Sequence, residues 1–336
     1  MKNTSYALIE TMLQQAIRKI KQDPERGIRN LVDLGLQFSD GRFQKDFFGY
    51  AQRMLCNENS AYYDLVKNTV FHVDTDRLIT FGMNVGYHGC TIGAKTIRHI
   101  EDTECFGIPW SLIMKINQNS FEKNEAAYHA IIGQGKTLGI YTYLIFAAEP
   151  STAMLSLLAK HTECGFVLFC DADALTEEFI IKAEACCNLM LCVRYEKSCG
   201  EACEILRRRK MLYSVYVPYA EHNTNAVLCG NFLRSVEELH PLFTVFVPEQ
   251  GCPEMVHRAV YNYITDMRNQ QTYRTILWEL FGDHLHIDRI ISDCSCSAEI
   301  DENGFLYALG DRKKAGNCFE YSLKDLLKEM FPKSEL

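Results

Sequence analysis

Between Arg77 and Ala94 the chain reads RLITFGMNVGYHGCTIGA, an apolar run giving way to a glycine-broken polar stretch with Asn84, Tyr87, His88 and Cys90. An amide, an imidazole and a thiol this close together could face a small molecule or take a metal ion. A second set follows apolar runs further on: Asn117, Asp171, Asp173, Arg194, Glu196 and His222. The guanidinium of Arg194 suits a carboxylate. Asp171-x-Asp173 could hold a divalent cation for Lewis-acid or phosphate chemistry, with His88, Glu196 and His222 beside it. The alternative is architectural: Asp173 caps the helix starting near Thr176 while Asp171 faces a lysine or arginine. A third set is sulfur. Fifteen cysteines are scattered through the chain, and most need no role beyond that of a small hydrophobe. Cys294, Cys296 and Cys318 could bind zinc or a cluster, with His284 or His286 as the fourth ligand.

The elements that must position these groups fall into three segments, a helical one over 1–74, a β/α segment over 75–250 and an extension over 251–336. Apolar spacing of three and four predicts helices over Tyr6–Lys21, Glu25–Phe38, Phe43–Leu55 and Ser60–Val70, with Pro24 as a start signal and Asp40-Gly41 as a break. Apolar runs of strand length then alternate with helical stretches, the order expected of parallel strands joined by crossover helices. They are Arg77–Val85, Ser111–Asn117, Gly139–Ala147, Phe166–Asp171, Asn188–Tyr195, Leu212–Pro218 and Phe243–Pro248. This number of repeats predicts an α/β fold of the TIM type, a full or partial barrel. The polar set would then ring its mouth, where the carboxyl ends of parallel strands hold ligands. Polar loops and helix caps account for many of these residues singly, and for the whole ring less well. The extension is expected to hold a helix over Pro253–Gln271, a shorter helix over Thr275–Phe281, and a hairpin turning at Asp301-Glu302-Asn303-Gly304. Ser322 would cap a last helix over Leu323–Phe331.

This order, with Met83-x-x-x-Tyr87-x-x-Cys90 after the first predicted strand, resembles the radical S-adenosylmethionine (SAM) proteins, whose loop there reads Cys-x-x-x-Cys-x-x-Cys. Cys294 to Met330 resembles the SPASM-type extension of that family: a cysteine pair, the run Ile300–Tyr307, then Gly316-Asn317 and Ser322-Leu323-Lys324-Asp325-Leu326. The resemblance implies a [4Fe-4S] cluster and S-adenosylmethionine as cofactors. The ligand motif is degenerate, because Met83 and Tyr87 replace two thiolates and leave Cys90, and such clusters depend on several anionic sulfurs. The family's Gly-Gly-Glu-Pro stretch is here Asn117-Gln118-Asn119-Ser120, and Leu309 stands where a cluster cysteine is expected.

Other signals exclude more than they propose. A formal charge of −8 argues against a nucleic-acid partner, and no apolar run reaches membrane-spanning length, so a cytoplasmic protein is expected. Ala130-x4-Gly135-Lys136-Thr137 approaches a phosphate-binding loop, but the order of elements is reversed and a helix-to-strand turn is expected there. The expected function is a degenerate radical-SAM-like protein without the usual cluster chemistry. It would bind a peptide, protein partner or small molecule at the barrel mouth, as an accessory to a peptide- or protein-modifying system. The alternatives are a radical SAM-type enzyme with altered iron–sulfur ligation and a divalent-metal-dependent barrel hydrolase or lyase.

Overall fold

Four helices open the chain, at Thr4–Gln22, Pro24–Gln37, Arg42–Leu55 and Ala61–His72. Local chemistry sets their ends. The Asp23 carboxylate accepts the Arg26 N–H at 3.2 Å, with Pro24 in the first turn, and Ser60 caps the fourth helix by accepting from Tyr62 N–H. The first two helices close on buried Ile20 and Ile28, and Gly27 permits it, since a Cβ there would stand 2.7 Å from the Ile20 backbone. The structure, a computed structural model, describes residues 4–39, 41–310 and 313–333, so Asp40 of the expected break lies outside the described residues.

Among the described residues the strands are β1 (Ser111–Lys115), β2 (Thr142–Phe146), β3 (Gly165–Cys170), β4 (Leu189–Arg194), β5 (Tyr213–Tyr219), β6 (Phe243–Pro248), β7 (Ile276–Glu279), β8 (Ala298–Ile300), β9 (Phe305–Ala308) and β10 (Lys314–Asn317). Two compact units divide the chain, Met1–Ile79 with Leu191–Asp283 and Thr80–Met190 with His284–Leu336. In the first, β4 to β7 pair in sequence order, all parallel, over a core that includes Val217, Tyr219, Leu233, Phe246 and Ile264. In the second, β1, β2 and β3 are parallel, β8 adds parallel to the other side of β1, and β9 and β10 continue antiparallel. Crossover helices such as Gln118–Leu138 and Thr152–Lys160 join the parallel strands. Each unit therefore carries an open sheet, and neither closes into the barrel expected from the repeat count. The β8–β9 turn falls where expected, with Gly304 at φ +88°, and Gly135-Lys136-Thr137 ends a helix before β2.

Two expected elements change type. Arg77–Val85 is helical, not a strand: Thr75–Gly82 is an α-helix that continues as a π-helix over Met83–Gly93 and as an α-helix over Ala94–Glu104. Asp74 starts it, its carboxylate accepting the Arg77 N–H at 3.0 Å, and the buried Ile79, Met83, Cys90, Ala94 and Ile97 recur on a helical period. Ile276–Glu279 is a strand where a helix was expected. Leu277 and Glu279 are buried while Ile276 and Trp278 are partly exposed, the alternation of a strand, and the helix Leu280–Ser292 starts only after it.

Candidate functional sites

The π-helical segment turns its polar groups into the scaffold. Asn84 is buried, and its amide donates to the carbonyls of Thr162 and Cys164, both at 2.8 Å. His88 donates from Nδ1 to Glu163 O at 3.0 Å and lies against Tyr141, with ring centroids 5.5 Å apart. Burial pushes its pKa down, partly opposed by that carbonyl. Both side chains thus pin the turn that leads into β3, an architectural use the sequence reading did not separate from ligand binding. Cys90 is buried, and burial pushes its thiol up to about 12. With Met83 and Tyr87 in the same helix the segment offers Cys90 no second thiol, and iron–sulfur clusters depend on several anionic sulfurs. The residues at the expected cluster position do not fit a [4Fe-4S] cluster.

The strand-end residues have several different settings. Asn117 caps the helix Gln118–Leu138, accepting the Ser120 N–H at 2.8 Å, so the stretch aligned with the family's cofactor-binding turn serves as a helix start. Asp171 is half-buried after β3, and Asp173 is exposed in a short 3-10 turn, Ala172–Ala174. The cap of the next helix is Thr176, not Asp173. In the first unit, Arg194 is exposed at the end of β4, Glu196 is half-buried just beyond it, and His222 is exposed after β5.

Sequence reasoning missed a tighter group in that unit. Glu279, at the carboxyl end of β7, is fully buried and accepts from the Tyr219 hydroxyl at 2.8 Å and the Gly282 N–H at 2.6 Å. His257 places Nε2 3.1 Å from the same carboxylate while keeping part of its ring exposed. Burial and the adjacent carboxylate push the Tyr219 phenol up. A buried carboxylate orienting an accessible imidazole is an arrangement able to move a proton. The available signal was the lone acid at the end of the apolar run ILWE, hidden by the helix assignment.

A second missed partner joins the tail cysteines. The ligand atoms of Glu101, Cys294 and Cys296 lie within 4.8 Å of one another. Glu101 comes from the last turn of the helix Ala94–Glu104, and burial pushes its carboxyl up. A hydrogen bond with Cys296 pulls the Cys294 thiol down, and burial holds Cys296 well above the ordinary value. Nearby, Asp288 accepts from the Trp110 N–H at 3.2 Å and from the Ser297 hydroxyl, and burial pushes it up to about 7. Cys318 is not a member of this group. Its N–H donates to Gly304 O at 2.7 Å, and burial raises its thiol to about 12. Neither histidine expected as a fourth ligand belongs to it either. His284 Nε2 meets the Ser111 hydroxyl at 2.6 Å, and His286 is exposed.

No family model matches the chain, and no curated protein matches its sequence. Solved structures do match. The crystal structure of Streptococcus suis SuiB bound to S-adenosylmethionine superposes with a TM-score of 0.52 at 13% identity, over 69% of this chain and 66% of that one. The crystal structure of Streptococcus suis SuiB gives a TM-score of 0.51 at 12% identity, over 69% and 68%. The chain shares its fold with SuiB over that span. At such identity the likeness is one of fold alone, and the chain spans just under two thirds of the length of the first of these structures. Among the described residues no helix is long and apolar enough to cross a membrane.

Proposed function

We propose that this chain is a degenerate radical-SAM-like protein that works by binding, without the usual cluster chemistry. It takes a peptide, protein partner or small molecule at the carboxyl ends of its parallel strands, as an accessory to a peptide- or protein-modifying system. The observation that carries this reading is the environment of Cys90, a single buried thiol inside a helix where three ionised thiols would be needed. Arg194 is the natural anchor for a carboxylate, with Glu196 and His222 on neighbouring strand ends of the same unit. The test is iron and sulfide content after anaerobic purification and reconstitution, with calorimetric titration of S-adenosylmethionine. The reading expects no stoichiometric iron and no cofactor binding. About four irons per chain with matching sulfide, lost in Cys90→Ala, would overturn it in favour of an enzyme with altered ligation.

A second reading, an acid–base enzyme at the strand ends, is supported by the His257–Glu279–Tyr219 group. It expects His257→Gln to remove an activity while the variant stays folded. The divalent-metal-dependent hydrolase or lyase, carried by Asp171 in the other unit, expects one divalent ion per chain that disappears in Asp171→Asn.

A further inference from the structure

We propose that Glu101, Cys294 and Cys296 form a binding site for one thiophilic divalent cation, zinc by its donor set. Two sulfurs and one carboxylate oxygen are borderline-soft donors of the kind zinc prefers, and three protein ligands with a fourth position open is a recognised zinc arrangement. The donors come from parts of the chain far apart in sequence, yet their ligand atoms gather within 4.8 Å. Small backbone leaves the sulfurs their space: a Cβ on Gly107 would stand 3.0 Å from Cys294 Sγ and 3.1 Å from Cys296 Cβ.

The surrounding shell suits an ion. Glu101 Oε1 accepts the Ile108 N–H at 2.8 Å, which fixes the carboxylate plane as outer-shell bonds do for metal ligands. Lys333 Nζ stands 3.0 Å from Oε2 and donates to Ser292 O at 2.8 Å. Two thiolates and a carboxylate carry three negative charges, so a divalent ion with Lys333 beside it closes the charge balance. Binding is a ligand exchange with no redox step: the hydrated ion sheds bound waters as it takes two thiolate sulfurs and one carboxylate oxygen, and protons held by the two thiols leave to solvent. Cys294 is half-exposed and gives the ion an entry route, while Cys296 is fully buried.

The position explains what an ion would do there. Gly107 N–H donates to Phe331 O and Lys333 N–H to Cys105 O, both at 2.8 Å, so the end of the chain is laced to the segment just after Glu101. A cation bridging Glu101 to Cys294 and Cys296 would clasp the end of the helix Ala94–Glu104 to the start of the hairpin extension. This inference is independent of the proposed function, which concerns iron and the strand ends, and either can fail alone.

The experiment is a zinc titration of the full, reduced, metal-stripped chain against a chromophoric chelator, with cobalt(II) as an optical probe. The expected result is one zinc per chain with proton release, a rise in Tm, and thiolate-to-cobalt charge-transfer absorption. Cys294→Ser should weaken binding by more than about 100-fold and Glu101→Gln by at least about 10-fold, since even outer-shell losses cost on the order of 10–100-fold. Cys56→Ser, an exposed thiol just after the helix Arg42–Leu55 in the other unit, should change nothing. Absence of stoichiometric uptake overturns the assignment, as does uptake that survives in Cys294→Ser. If Cys296→Ser does not fold, the wild-type cobalt spectrum still decides, because a site without charge-transfer absorption has no thiolate ligands. Failure to bind zinc together with loss of two free thiols on mild oxidation would make the pair a redox dithiol and reject the metal site.

Discussion

Cys90 and the Cys294–Cys296 pair lie in the same unit and differ in what surrounds them. Cys90 is buried inside a continuous helix with no second thiol in the segment, and burial alone raises its thiol to about 12. The pair sits after a helix end, with a second sulfur, a carboxylate and an ammonium group in range. The sequence likeness draws attention to both regions, while the chemistry favours the second. A motif position is only as useful as the charge and donor set that the fold assembles around it.

The comparison breaks most sharply if the π-helical region is not as closely packed as it is here. Gly93→Ala would put a Cβ 2.3 Å from Gly139 O and 2.9 Å from His88 O, both backbone atoms that cannot swing aside. A loss of about 3 kcal/mol, the upper range for overpacking, is expected in urea unfolding. A loss under about 1 kcal/mol would mean that the segment moves freely enough to open a site. Asn84→Leu comes next. It strips hydrogen bonds from the Thr162 and Cys164 carbonyls, and about 2 kcal/mol should go with them. If this variant instead kept its stability and lost ligand binding, Asn84 would return to the list of pocket residues.

The same turn supplies a pH signature. His161, buried and 2.9 Å from His129 Nδ1 through its own Nε2, has its pKa lowered to about 4 by burial and by the nearby His129, Lys136 and Lys160. Its value when unfolded is the ordinary 6.5, so between these limits the unfolded chain binds the extra proton and stability rises with pH. The contribution is whole above about pH 6.5 and drains away as pH falls towards 4, by on the order of 2 kcal/mol after allowing for partial solvent access. Denaturation midpoints across that range should fall less steeply in His161→Gln. An unchanged slope would place the sensitivity in another group.

Much of the scaffold could be read from the sequence, because it is written in local patterns. The four opening helices, six of the parallel strands and the capped last helix follow from apolar period, Pro24 and Ser322. The errors have a common physical source. Arg77–Val85 and Ile276–Glu279 are short apolar runs, for which periodicity alone does not separate strand from helix, and only the Asp74 cap and the burial alternation decide them. Sheet closure is a long-range property that no count of repeats supplies. Nor could Glu101 be matched with Cys294, or His257 with Glu279. Each pair is made by packing between elements distant in sequence, and an isolated acid on a helix carries no sign of its eventual neighbour.

The smallest effect expected is also the most discriminating. Cys90→Ala removes one buried sulfur from a packed helix face and should cost about 1 kcal/mol, as a small cavity does. It should leave the zinc equivalents of the chain unchanged. Cys294→Ser acts at a half-exposed residue, should cost little stability in the stripped chain, and should abolish tight zinc uptake. The two variants therefore separate packing from ligation in opposite directions, one moving Tm without metal content and the other metal content without the stripped-chain Tm. Were Cys90→Ala to lower metal content as well, the thiol would have to be ionised in the native state. The packing that buries it would then have to open in solution, and the helical segment would again be a candidate ligand loop.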